Sequence, residues 1–77
     1  MTLEEAFNDA ERRFCSLRVD SDRVVFYKGF KAIKHDNGEV KIYDTSGDGP
    51  SYSEFTAHQY SMVEQHGFRE TVKQLKS

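Results

Sequence analysis

Residues 23–44 read RVVFYKGFKAIKHDNGEVKIYD, and the fold turns on how this run is divided. Its first part, 23–35, is β-branched and aromatic and reads as one strand. Asn37-Gly38 follows, the pair preferred in a two-residue type I′ hairpin turn because both central positions take positive φ. Counting back from that turn sets His35 opposite Val40, Lys34 opposite Lys41, Ile33 opposite Ile42, Ala32 opposite Tyr43 and Lys31 opposite Asp44. The Lys31–Asp44 pair is favourable. Lys34 facing Lys41 is not, unless Asp36 and Glu39 offset it diagonally. Residues 39–44 form the second strand, and SYSEF (51–55) a short third one.

Regular alternation then divides the sheet into two faces. Val25, Tyr27, Lys31 and Ile33 share one with Val40 and Ile42. Val24, Phe26, Lys28, Phe30, Ala32 and Lys34 share the other with Lys41 and Tyr43. Gly29 is a candidate bulge that would swap sides midway. Both faces are apolar in part, yet so short a chain can cover only one of them with helices.

The flanks carry helical patterns. In 2–17, TLEEAFNDAERRFCSL, Leu3, Phe7, Ala10, Phe14 and Leu17 fall on one stripe. Thr2 and Glu5 make a capping box, and the early acids and late arginines suit the helix dipole. A second box, Thr56 with Gln59, opens a helix over 57–66, and Phe55 with Tyr60 takes the positions of a hydrophobic staple. Gly67 terminates that helix in the left-handed region, with Phe68 returning to Val63. Phe68, Val72 and Leu75 then mark a short last helix over 69–76. The expected fold is α+β: an N-terminal helix, an antiparallel meander of two to three strands, then one helix and a short C-terminal helix on one face of the sheet.

Seventy-seven residues give a single small domain, 1–77, with a thin core in which six Phe and four Tyr supply most of the apolar volume. No window approaches the ~18 apolar residues of a membrane span. Cys15 is the one cysteine, so no intrachain disulfide forms, and a small apolar role on the first helix in a reducing cytoplasm is expected. The net charge of −2 is uneven, with −3 over residues 1–22, +3 over 23–43, −3 over 44–55 and +1 over 56–77.

The chemistry-bearing motifs are incomplete. DTSGDG (44–49) places Asp44, Ser46, Asp48 and Gly49 as a calcium hand would, but Phe55 stands where the bidentate Glu belongs. Asp44, Ser46 and Asp48 are therefore weak metal candidates in an acidic turn. His58 and His66 lie about 12 Å apart along one helix, too far to share an ion. No phosphate-cradling glycine loop or nucleophile elbow is present, and nothing places Cys15 beside a base, so neither an enzyme nor a cofactor is expected. KGFKAIKH (28–35) meets an RNA-recognition pattern at Lys28, Gly29, Phe30 and Ile33, but not at Ala32 and His35. The order helix, three strands, helix resembles the double-stranded-RNA-binding domain in outline only. That family's GPxH loop and lysine-led last helix have no counterpart, so no residue carries over.

These readings point to a small non-enzymatic cytoplasmic accessory protein. It would act by protein binding or self-association, a homodimer included, through the sheet face of Lys28, Phe30, Lys34, Lys41 and Tyr43. The alternative is a nucleic-acid-binding module using the same basic, aromatic face. No membrane partner is expected.

Overall fold

The computed structural model describes residues 1–45 and 52–76. Helix α1 (Leu3–Arg13) leads into strands β1 (Cys15–Val19), β2 (Asp22–Tyr27), β3 (Phe30–Lys34), β4 (Val40–Asp44) and β5 (Ser53–Glu54). Helices α2 (Ala57–His66) and α3 (Phe68–Lys76) complete the chain. The strands form one antiparallel sheet in chain order, β1 to β5, and the fold is α+β. Five strands stand where two to three were expected.

The helix ends follow local rules. Thr2 accepts from the Glu5 amide while the Glu5 carboxylate accepts from the Thr2 amide at 2.8 Å. These bonds hold the Glu5 carboxyl below its usual pKa. Thr56 and Gln59 repeat the device at α2. Phe55 and Tyr60 close the staple ring edge to ring face, their centroids 5.9 Å apart. Gly67 ends α2 at φ 87°. Its carbonyl then accepts from both the amide and the hydroxyl of the buried Thr71, so one glycine ends α2 and seats the first turn of α3.

Three expectations about the middle of the chain are corrected. The first helix stops at Arg13 instead of continuing to residue 17. Phe14 leaves helical geometry and stacks on Tyr27 at 3.8 Å between centroids, with Phe68 beside both rings. Cys15 and Leu17 consequently belong to β1.

Residues 23–35 are two strands rather than one. The chain reverses at Lys28-Gly29, where φ is 48° and 83°, the paired positive values that a two-residue hairpin requires. The Gly29 carbonyl is held from β4's end by the amide and hydroxyl of Thr45. Gly29 does reverse the faces, as a turn and not as a bulge.

The Asn37-Gly38 loop is longer than two residues. Only Gly38 has positive φ, the His35 amide donates to the Glu39 carbonyl, and Asn37 Oδ1 accepts from the Glu39 amide. The register moves by one, so Lys34 faces Val40, Ala32 faces Ile42 and Lys31 faces Tyr43. A one-residue slip sends side chains to opposite faces. It separates Lys34 from Lys41 and gives each a carboxylate, Glu4 for Lys34 and Glu39 for Lys41. The like-charge pair of the expected register disappears.

The core lies between the helices and one face of the sheet. Phe7 and Ala10 of α1, Val25, Phe30, Ala32, Val40 and Ile42 of the sheet, Phe55, Val63 of α2, and Phe68 and Val72 of α3 are its main members. Helix α1 packs over β2, β3 and β4, and α2 and α3 pack on each other and on α1. The helices therefore cover one face, as expected.

Candidate functional site: the open face and the first edge

The register decides which side chains share the uncovered face. Partners across an antiparallel ladder point to the same side. Cys15, Leu17 and Val19 of β1 lie beside Phe26, Val24 and Asp22 of β2. Lys31 and Ile33 of β3 and Lys41 and Tyr43 of β4 continue the same face. Leu17 and Val19 are each 49% exposed and Phe26 is 43% exposed. Val24, at 6%, is shielded between its neighbours. The result is an apolar surface over β1 and β2 that passes into lysines and tyrosines over β3 and β4.

The five residues expected to form one binding surface are divided. Lys41 and Tyr43 lie on the open face. Phe30 lies beneath the helices, 3% exposed, with its ring edge to face with Phe55 and the Lys76 ammonium above it. Lys34 is on the helix side, bonded to Glu4 and Asn8 of α1. Lys28 sits in the β2–β3 turn over the Tyr27 ring. The structure therefore does not place Lys28, Phe30 and Lys34 on the face with Lys41 and Tyr43. The reversal at Gly29 is the reason, since it exchanges the sides of everything that follows. Leu17, Val19 and Tyr52 are exposed residues that the sequence reading did not assign to a surface, and Phe26, placed on a sheet face but left out of the five, is exposed as well. The alternation Cys15, Leu17, Val19 just before Asp20-Ser21 is the pattern that marks the first of them.

The basic middle segment does not make a basic face. Arg23 pairs with Glu11, Lys34 with Glu4 and Lys41 with Glu39, while Lys31 lies over the Tyr52 ring and Lys28 over Tyr27. Every cation in 23–43 thus has an electron-rich neighbour.

The two edges of the sheet differ in their polar groups. Beyond the short β5, the Ile42 amide donates to the Tyr60 hydroxyl at 2.9 Å, and that hydroxyl donates to Glu54 Oε2. The Ile42 carbonyl accepts from the Phe55 amide. Burial, reinforced by the Glu54 carboxylate and opposed by the Ile42 amide, pushes the Tyr60 hydroxyl up to about 12. Among the described residues no bond of this kind covers strand β1. All five of its residues are exposed, and its ladder partner is β2.

Groups with chemical reactivity are dispersed. His35 Nδ1 lies 3.2 Å from Asp22 Oδ2. Cys15 is at the far end of β1 from the position facing Asp22, about 13 Å along the strand, so that pair supplies no base to the thiol. Asp44 ends β4, while Ser46 and Asp48 lie outside the described residues. Among the described residues no three His, Cys, Asp or Glu side chains group in a way that could hold a metal ion, and no helix is long and apolar enough to cross a membrane.

Compared with known proteins, the chain matches no family model, no curated protein and no solved structure at a significant level.

Proposed function

We propose that this chain is a small non-catalytic cytoplasmic binding protein whose open sheet face docks on protein, either another chain or a second copy of itself. The observation that carries this reading is the contiguous apolar surface of Leu17, Val19 and Phe26 around Val24 and Ile33, on the side the helices leave bare. Contiguous exposed apolar surface on a small protein is characteristic of interaction sites. An exposed lone thiol suits a reducing compartment. Replacing Phe26 by Ser should leave the far-UV dichroism and the melting midpoint close to wild type while abolishing assembly in light scattering or capture from lysate. Unchanged assembly in that variant would remove the open face from consideration.

Nucleic-acid binding is the second reading, favoured by Lys31, Lys41, Tyr43 and Tyr52 at the other end of the chain's exposed surface. Stacking platforms combine aromatics with cations of this kind. Its cations already have partners, which weakens the pull on a phosphate chain. Such binding would fall steeply with salt through counterion release. The absence of single-strand RNA or DNA binding at low salt would dispose of it.

A further inference from the structure

We infer that the second copy of this chain is the occupant of the β1 edge, joined by antiparallel β1–β1 pairing about a two-fold axis through Leu17. This rests on the reading of the open face as a protein-docking surface and narrows it to one partner and one register.

The argument begins with backbone groups. A two-residue turn, Asp20-Ser21, joins β1 to β2, so Val19 and Asp22 are the hydrogen-bonded pair that closes the hairpin. Alternation makes Leu17–Val24 and Cys15–Phe26 the next such pairs. The amides and carbonyls of Cys15, Leu17 and Val19 are thereby directed at β2, and those of Ser16 and Arg18 point away from the sheet. No described group bonds to them. A strand edge with free, alternating donors and acceptors is a template for another strand.

A second copy is favoured by the fit of the strand to itself. Outward-pointing residues must face one another if the new ladder is to hydrogen bond, which allows three symmetric registers. Arg18 opposite its own copy sets like charges together and overlaps only part of the strand. Ser16 opposite its own copy also shortens the overlap and leaves Arg18 outside it. Ser16 opposite Arg18 of the second copy overlaps the whole of Cys15–Val19 and sets no charge against a like charge. It places the two Leu17 side chains face to face on the axis and Cys15 beside Val19 of the second copy. The open faces then lie on the same side of one continuous sheet, and the apolar surface of each copy extends into the other. Edge pairing with a few apolar side chains per copy falls at the small end of interface sizes, so the dimer is expected to be concentration-dependent.

Disulfide trapping and light scattering together test this. In the proposed register the Leu17 positions form a non-hydrogen-bonded pair with Cα atoms about 4.5 Å apart, within disulfide reach. The two Cys15 positions are about 13 Å apart and outside it. Mild oxidation of the Cys15→Ser/Leu17→Cys variant should give a covalent dimer at least tenfold faster than oxidation of the wild type at equal concentration. Ser16→Pro removes an outward amide, which β2 does not use, so the variant should keep its dichroism and melt as the wild-type monomer does while its scattering mass falls from two chains to one. Equal or faster cross-linking of the wild type overturns the register. A wild type that is monomeric at every concentration overturns the pairing. A dimer untouched by Ser16→Pro but dissociated by Phe26→Ser overturns edge pairing while leaving the open face as the docking surface.

Discussion

The two edges of the sheet answer the same physical problem in opposite ways. At the β4–β5 side the chain spends side chains on closure: Tyr60 bridges the Ile42 amide and the Glu54 carboxylate, and Phe55 follows β5 directly into the core. At the β1 side the strand itself, Cys15–Val19, carries neither proline nor bulge, and all five of its residues are exposed. Natural sheets usually blunt their edges against unwanted pairing. A fold that closes one edge with a half-buried tyrosine and leaves the other exposed treats the two edges differently. One edge belongs to folding, and the proposed pairing gives the other to assembly.

The largest test of that contrast is Phe55→Ala. Phe55 is 5% exposed and meets both Phe30 and Tyr60 ring to ring. Its truncation should lower the stability to urea by about 3–4 kcal/mol. Phe30→Ala should cost a similar amount, because Phe30 is core and not surface. A loss under about 1 kcal/mol at Phe55 would mean that the edge is not held by the core.

Tyr60→Phe comes next. It leaves the Ile42 amide without its acceptor and should cost about 1–3 kcal/mol. The same substitution has a pH signature. The Tyr60 pKa is raised in the folded state from 10.0 to about 12. Its contribution is therefore fully present below pH 10 and is lost as the pH rises through about 12. Urea midpoints of the wild type should fall toward those of Tyr60→Phe across that interval, and parallel curves would contradict the assignment.

A smaller effect is expected at Lys28, which holds φ 48° in the turn between β2 and β3, away from both edges. Lys28→Asn should raise stability by about 0.5–1 kcal/mol, since Asn tolerates the left-handed region better. Oligomeric mass should not change. The smallest effect on the monomer is expected at Leu17→Ser, about 0.5 kcal/mol at a half-exposed edge position. This variant should nevertheless reduce assembly as strongly as Ser16→Pro. A large loss of monomer stability there would show that β1 is structural and would undo the contrast.

What could be read from the chain alone was what neighbours in sequence determine. Both capping boxes, the Phe55–Tyr60 staple and the Gly67 terminator involve residues no more than five apart, and each is present. The failures came where a distant contact overrode a local pattern. The helical stripe from Leu3 to Leu17 outlasts the helix because Phe14 is drawn onto Tyr27 and Phe68. Lys28 is not a residue that announces positive φ, so a thirteen-residue stretch read as one strand concealed a hairpin. Asn37-Gly38 is compatible with two loop lengths, and the observed one sets Ala32 opposite Ile42 with Val40 beside them in the core, a burial that the local sequence does not announce. The candidate surface inherited these errors. Lys41 and Tyr43 stayed on the open face, Phe30 and Lys34 went to the other, and Leu17 was hidden in a helix that ends four residues earlier.

The sequential order of the strands has a kinetic consequence. Every ladder joins chain neighbours, so the sheet closes through short loops and can form by successive local zipping. Folds with such local pairing form quickly. The same order makes β1 the terminal rung, held by a single ladder, and it can detach without disturbing β2 to β5. Amide exchange in Cys15–Val19 should therefore report local opening, and slow sharply when the edge acquires a partner.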